Sequence, residues 1–151
     1  MAIEICEKIN MPQLSEQIEI AIRFSEVDSL TIVWHGHYAK YFEDGREAFG
    51  RKYGLGYLDV FNQGYFTPLV DISFEYKRSL RYNDRAIVTT TFIDSKAAKI
   101  IFAFQIHNAE TKELVATGKS TQVFLTSSDS ELCLTIPEFF ENWKKKWGID
   151  A

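Results

Sequence analysis

Phe24-Ser-Glu-Val-Asp-Ser-Leu-Thr-Ile-Val-Trp-His-Gly-His-Tyr38 joins two segments of different hydrophobic period. Upstream, Ile18, Ile20, Ile22 and Phe24 alternate with Glu19, Ala21 and Arg23, the two-residue period of a half-buried strand. Polar residues and a turn follow, through Thr31. From about His37 the period lengthens. Tyr38, Tyr41, Phe42, Gly45, Ala48, Phe49 and Tyr53 recur at three- and four-residue steps, which predicts an amphipathic helix stopped by Gly54. Glu43, Asp44, Arg46, Glu47, Arg51 and Lys52 take its other faces. Gly45 has no side chain on the apolar stripe, so a close neighbour is expected there.

Four strand patterns come next. Val70, Ile72, Phe74 and Tyr76 alternate in the first; the others span Arg85 to Ile93, Lys99 to His107 and Leu114 to Leu125. Turn residues separate them at Tyr82-Asn83-Asp84 and Ala109-Glu110-Thr111-Lys112. Pro137 opens a short helix over about 137–147. Hairpin-length turns favour antiparallel pairing, and the long helix must bury its stripe against the sheet. The expectation is a single α+β domain over 1–151, with one long helix wrapped by a curved antiparallel sheet of about five strands. One helix covers one face, so the other face or an edge is left for a second copy.

The bulk composition agrees with one globular domain: 46% hydrophobic, 25% charged and 15% aromatic residues, the last mostly core. A net charge of −4 without a basic run argues against nucleic acid. Lys144-Lys145-Lys146 reads as a solvated helix end. Cys6 and Cys133 form no CxxC pair and suggest no disulfide framework. The N-terminus lacks a leader pattern and no apolar run is long enough to span a bilayer, so a cytoplasmic protein without membrane insertion is expected.

The chemistry concentrates at the strand-to-helix junction. Asp28 supplies a carboxylate that can attack a carbonyl or activate water, and a helix start supplies free N–H groups for an oxyanion. Taken alone, Asp28 would read as a turn residue. Asp28 with His35 and His37 could form part of a metal site, but His107 lies in a distant strand and no metal is expected. His37 could equally pack on Tyr41 as a helix-start residue.

Asp28-x-x-Thr31-x-Val33-x-x-x-x-Tyr38 followed by Tyr41-Phe42-Glu43 resembles the 4-hydroxybenzoyl-CoA thioesterase family of the hotdog fold. Arg81-Tyr82-Asn83-Asp84 resembles that family's Arg-Tyr-Asp-Asp turn, and Leu114-x-Ala116-x-Gly118 its Leu-x-Ala-x-Gly stretch. The resemblance covers roughly Ile18 to Pro137 and rests on joint order and spacing. It implies Asp28 as the catalytic carboxylate and the backbone N–H at His35 as oxyanion donor. The His35 side chain is similar to that of the tol-pal-associated members and would help position water or substrate. It further implies an acyl-CoA or acyl carrier protein thioester as substrate, no cofactor beyond the CoA of the substrate, and a homodimer or homotetramer with active sites at subunit interfaces. Trp34, Gly36 and His37 are substrate-binding candidates. Thr67 and Asp71 join them because the second strand borders the substrate channel in this fold. Lys96 and Lys99 would meet CoA phosphates.

Three positions depart from the family pattern. Thr31 stands in place of glycine, which predicts a differently shaped turn because Thr does not readily take positive φ. His37 replaces a common Asn, and Phe24 replaces a common Tyr. Thr31 and Phe24 motivate an alternative, a non-catalytic acyl-CoA or aromatic-ligand binding protein on the same fold. A third reading is a cone-like α+β isomerase, with the helix outside the sheet's concave face.

Overall fold

The computed structural model of the protein describes residues 13–149. Cys6 and the N-terminal stretch on which the expectation about a leader rests fall outside these residues. Strand β1, Ser15–Ala21, leads through a 3-10 turn at Phe24–Glu26 and a second at His35–His37 into helix α1, Tyr38–Tyr53. A short helix α2, Tyr57–Asn62, and strand β2, Tyr65–Phe66, follow. Then come β3, Leu69–Tyr76; β4, Arg85–Ile93; β5, Lys99–Asn108; β6, Leu114–Val123; β7, Leu125–Thr126; and helix α3, Glu138–Lys146. The main sheet is antiparallel, in the order β1-β4-β5-β6-β3, and β2 pairs with β7 in a small second sheet.

Alternation in the strands builds the core. Ala86, Val88, Thr90 and Phe92 of β4 and Ile100, Phe102, Phe104 and Ile106 of β5 all point inward and are buried. The stripe of α1 lies across them. Gly45 lets the helix lie close to β4, since a Cβ there would stand 2.5 Å from Thr90 Oγ1 and 3.0 Å from Val88 Cγ1. Phe42 is fully buried and stacks on both Phe74 and Phe104, with centroids 5.3 and 4.5 Å away. Its ring fills the space a side chain at Gly118 would need: a Cβ there would meet Phe42 Cε2 at 2.2 Å. The Leu-x-Ala-x-Gly stretch thus has a packing reason. Gly54 ends α1 in the left-handed conformation, φ 73°, as predicted.

Two expectations are corrected. The first strand ends at Ala21, and Phe24 does not continue its alternation: it begins the 3-10 turn and is 75% exposed. The inward residue of that turn is instead Glu26, buried with its Oε1 accepting from Arg23 N–H at 2.8 Å. The lysine triplet is not wholly solvated. Lys144 is buried, its Nζ donating to Ser95 C=O at 3.0 Å and pairing with Asp94 Oδ1 at 2.6 Å. That pair pins α3 to the β4–β5 connection. Trp143 and Trp147 fix the same helix to α1, both Nε1–H groups donating to Tyr53 C=O, at 2.7 and 3.1 Å.

Candidate active site

The segment from Glu26 to Trp34 folds back on itself as a small hairpin. Val27 bridges Val33, Trp34 N–H donates to Glu26 C=O at 3.0 Å, and Asp28 N–H to Ile32 C=O at 2.9 Å. Asp28 sits half-buried at the turn, its Oδ1 accepting from Leu30 N–H at 2.8 Å. That bond is the local Asx turn expected of aspartate. Oδ2 has no hydrogen-bond partner among the described residues. Thr31 N–H donates to Asp28 C=O at 2.9 Å, and Thr31 takes φ 66°. Thr31 therefore holds the left-handed conformation that a β-branched residue does not readily take. Arg81 Nη1 donates to Thr31 Oγ1 at 3.2 Å, and Ile32 bridges Arg81. Asp84 Oδ2 accepts from Arg81 N–H at 2.8 Å, so the 81–84 turn buttresses the Asp28 turn.

The hairpin runs directly into the helix. Val33 N–H donates to Leu80 C=O at 2.8 Å, and Trp34 caps the 3-10 turn. The N–H groups of His35 and Gly36 open that turn and donate to no acceptor among the described residues. They head a helical run continuing through α1, so its dipole adds to their positive potential. Tyr76 of β3 donates its hydroxyl to His35 C=O at 2.9 Å. That carbonyl shares a peptide plane with Gly36 N–H, so Tyr76 fixes the direction in which Gly36 N–H points. The Trp34 indole lies over Gly36: a Cβ there would stand 2.1 Å from Trp34 Cζ3. Trp34 also contacts His35 and His37, with ring centroids 5.0 and 5.5 Å away, so His37 packs on Trp34, not Tyr41. Trp34 and His35 remain exposed.

Two buried tyrosines support the helix start. Burial, reinforced by neighbouring Tyr76 and partly offset by a backbone hydrogen bond at Leu80, pushes the Tyr38 phenol up to about 12. Burial, with the Glu26 carboxylate beside it, raises the Tyr41 phenol further above its usual range. The Tyr41 hydroxyl faces that carboxylate without reaching hydrogen-bond geometry.

Asp28, Trp34, His35, Gly36 and His37 thus share one hairpin-to-helix junction. The remaining sequence candidates stand elsewhere in the protomer. On β3, Tyr76 lies opposite Ala116 and Asp71 opposite Thr121, while Lys99 of β5 lies opposite Val123. At about 3.3 Å per residue, Thr121 and Val123 are roughly 17 and 23 Å along β6 from the Tyr76 level. Asp71, Lys96 and Lys99 are exposed there. Thr67, whose C=O accepts from Gln122 Nε2 at 2.8 Å, lines a cavity of about 680 Å³ between the flank of α1 and the sheet. Among the described residues no group of three or more His, Cys, Asp or Glu could hold a metal ion, and no helix is long and apolar enough to cross a membrane.

Sequence reasoning missed Tyr76 and Arg81 as parts of the junction. Tyr76 was visible only as one residue of an alternating strand, and Arg81 only as part of a turn.

The sequence profile of the thioesterase-like superfamily matches residues 22–143. The Bacillus subtilis (strain 168) protein YneP, provisionally named an acyl-CoA thioesterase, is 36% identical over 90 residues, 60% of this chain and 65% of that protein, just under two thirds of its length. The crystal structure of DHNA-CoA thioesterase from Staphylococcus aureus superposes with a TM-score of 0.77 at 27% identity, covering 87% of this chain and 90% of that one. The 12:0-ACP thioesterase from Umbellularia californica shares the fold, with a TM-score of 0.79 at 17% identity over 91% of this chain and 55% of that one. The helix wrapped by a five-stranded antiparallel sheet is the hotdog architecture, as expected from the sequence. With more than half of its length matched by the profile, the chain belongs to the thioesterase-like superfamily.

Proposed function

We propose that the protein is an acyl-CoA thioesterase of the 4-hydroxybenzoyl-CoA thioesterase type, working as a homodimer or homotetramer in the cytoplasm. The observation that carries this reading is a carboxylate with one uncommitted oxygen, on a hairpin leading directly into a helical turn with two unpaired N–H groups. The names of the relatives support a thioester substrate, carried by CoA or by an acyl carrier protein.

In this reading the thioester carbonyl oxygen sits at the N–H groups of His35 and Gly36. Charge developing on that oxygen meets fixed donors and the positive end of the helix, and one such donor contributes about 3 kcal/mol to the barrier. Asp28 then either attacks the carbonyl carbon or takes a proton from an attacking water. In the first route the C–S bond breaks, CoA leaves as thiolate, and water hydrolyses the resulting mixed anhydride to free acid and Asp28 carboxylate. In the second, water adds directly and its proton passes to Asp28 and on to the thiolate. Trp34 and His37 wall the entrance, with the His35 side chain beside the reacting carbon. Thr67, Asp71, Lys96 and Lys99 belong to the substrate path only through a second protomer, because one protomer holds them at the far end of the sheet. The exposed edge strand β3 is the element such a partner would meet.

The test is CoA release, followed with a thiol reagent, over aliphatic and aromatic acyl-CoAs and an acyl carrier protein thioester. Asp28→Asn is expected to lower turnover about 10²–10⁴-fold with folding intact. Near-wild-type turnover in that variant would falsify this mechanism. Ligand binding without release by the wild type would mark the protein as an acyl-CoA or aromatic-ligand binding protein.

A further inference from the structure

Arg46 is a cation with nothing adequate to hold. It follows Gly45 on α1, its side chain is 20% exposed, and Nη1 is sealed from solvent without a hydrogen-bond partner. No nitrogen of this guanidinium hydrogen-bonds to a described residue, and its one ion pair is a long 3.9 Å contact from Nη2 to the exposed Glu43. A guanidinium presents five donors, and leaving them unpaired in a partly buried place is costly. Burial lowers its pKa accordingly, though an arginine so placed keeps its charge.

Arg46 forms part of the wall of the cavity of about 680 Å³. That volume falls within the usual range for small-molecule sites. The surrounding wall is largely apolar, with Leu55, Tyr57, Phe66, Ile100 and Phe102. Of its other charged groups, Glu43 and Glu47 stand at the exposed rim, and Glu47 is paired with Arg51. Gln122 turns its amide Nε2 to Thr67, donating to the carbonyl at 2.8 Å. Arg46 is the one cation among the described residues of this largely apolar wall, and the part of its guanidinium that stays accessible fits a ligand with an apolar body and one anionic end.

We propose that this cavity binds an apolar organic anion, an aryl or alkyl carboxylate, and that Arg46 pairs with the carboxylate. Such a carboxylate has two sources: the acid released by thioester hydrolysis, or an acyl group with a second, terminal carboxylate. Assignment to the acyl group rests on the proposed thioesterase activity and on a second protomer that brings this cavity to the partner's Asp28 junction; the binding site does not.

Calorimetry on the full chain tests the site with 2-naphthoate against its neutral analogue 2-naphthamide. Wild type is expected to prefer the carboxylate by about 10- to 100-fold, with Arg46→Gln abolishing that preference and Arg46→Lys retaining part of it. Equal binding of the two probes, no binding of naphthoate, or an undiminished preference in a folded Arg46→Gln would overturn the proposal. Should the glutamine variant fail to fold, Arg46→Lys decides: a preference undiminished from wild type would overturn the proposal. No turnover is needed, so failure here is separate from failure of the thioesterase reading. With binding established, kcat/KM for glutaryl-CoA relative to hexanoyl-CoA assigns the source. A fall in that ratio in Arg46→Gln places the carboxylate on the acyl group, and an unchanged ratio places it on the released acid.

Discussion

Replacing Thr31 by glycine should leave the protein within about 1 kcal/mol of wild type and more stable than the valine variant at the same position. Thr31 holds φ at 66°, where a β-branched side chain is strained by about 1–2 kcal/mol. Glycine removes that strain but loosens the unfolded chain, at a cost of about 0.5–1 kcal/mol. It also loses the exposed bond from Arg81 Nη1 to Thr31 Oγ1, worth roughly 0.5 kcal/mol. By these terms the net change lies between a loss of about 0.5 and a gain of about 1 kcal/mol. Thr31→Val provides the internal reference, because it keeps the branch and the strain while deleting the hydroxyl. It should be less stable than wild type by about 0.5 kcal/mol, and less stable than Thr31→Gly by about 1 kcal/mol. Urea unfolding compares the three at constant m. Since the Asp28 turn keeps its shape in each, CoA release should stay within about twofold of wild type. A glycine variant no more stable than the valine variant would refute the strain argument.

Tyr76→Phe removes the donor that sets the His35–Gly36 peptide; kcat should fall severalfold with KM unchanged, at a stability loss of under about 1 kcal/mol. A change confined to KM would mean that Tyr76 contacts substrate instead. Gly118→Ala should cost at least about 2 kcal/mol, because Phe42 is held between Phe74 and Phe104 and cannot yield. Phe42→Leu in the same chain should restore part of that loss, and purely additive destabilisation would exclude the clash. Folded Tyr38 holds its proton up to about 12 where the unfolded phenol loses it near 10. Stability should therefore be flat through neutral pH and decline as pH climbs from about 10 towards 12, and Tyr38→Phe should flatten part of that decline.

Long regular elements were the legible ones. Nine residues from Arg85 to Ile93 and sixteen from Tyr38 to Tyr53 each repeat a period often enough to declare it, and the structure places both where the pattern does. Helix α2 and the two-residue strands β2 and β7 are too short for any period and are held by tertiary contacts such as Tyr65 on Phe124. Phe24 misled because an aromatic in phase with a strand looks buried, while the chain had already turned to carry Glu26 inward. Lys144 misled for the opposite reason: its partners, Asp94 and the Ser95 carbonyl, lie about fifty residues away, and no local pattern announces them. The site followed the same division. The Asp28-to-Tyr38 junction was readable because it is contiguous, whereas Tyr76 and Arg81 reach it across the sheet and through a turn.

The docking of two indoles on the Tyr53 carbonyl also divides the protein optically. Trp143 and Trp147 report from one end of α1 and the half-exposed Trp34 from the other, and these are the three tryptophans of the chain. Their emission should separate accordingly, blue-shifted and shielded from iodide at the carboxyl end, red-shifted and quenchable at the amino end. Arrival of a ligand at the junction and fraying of the terminal helix could then be followed in one unlabelled sample, each in its own spectral band.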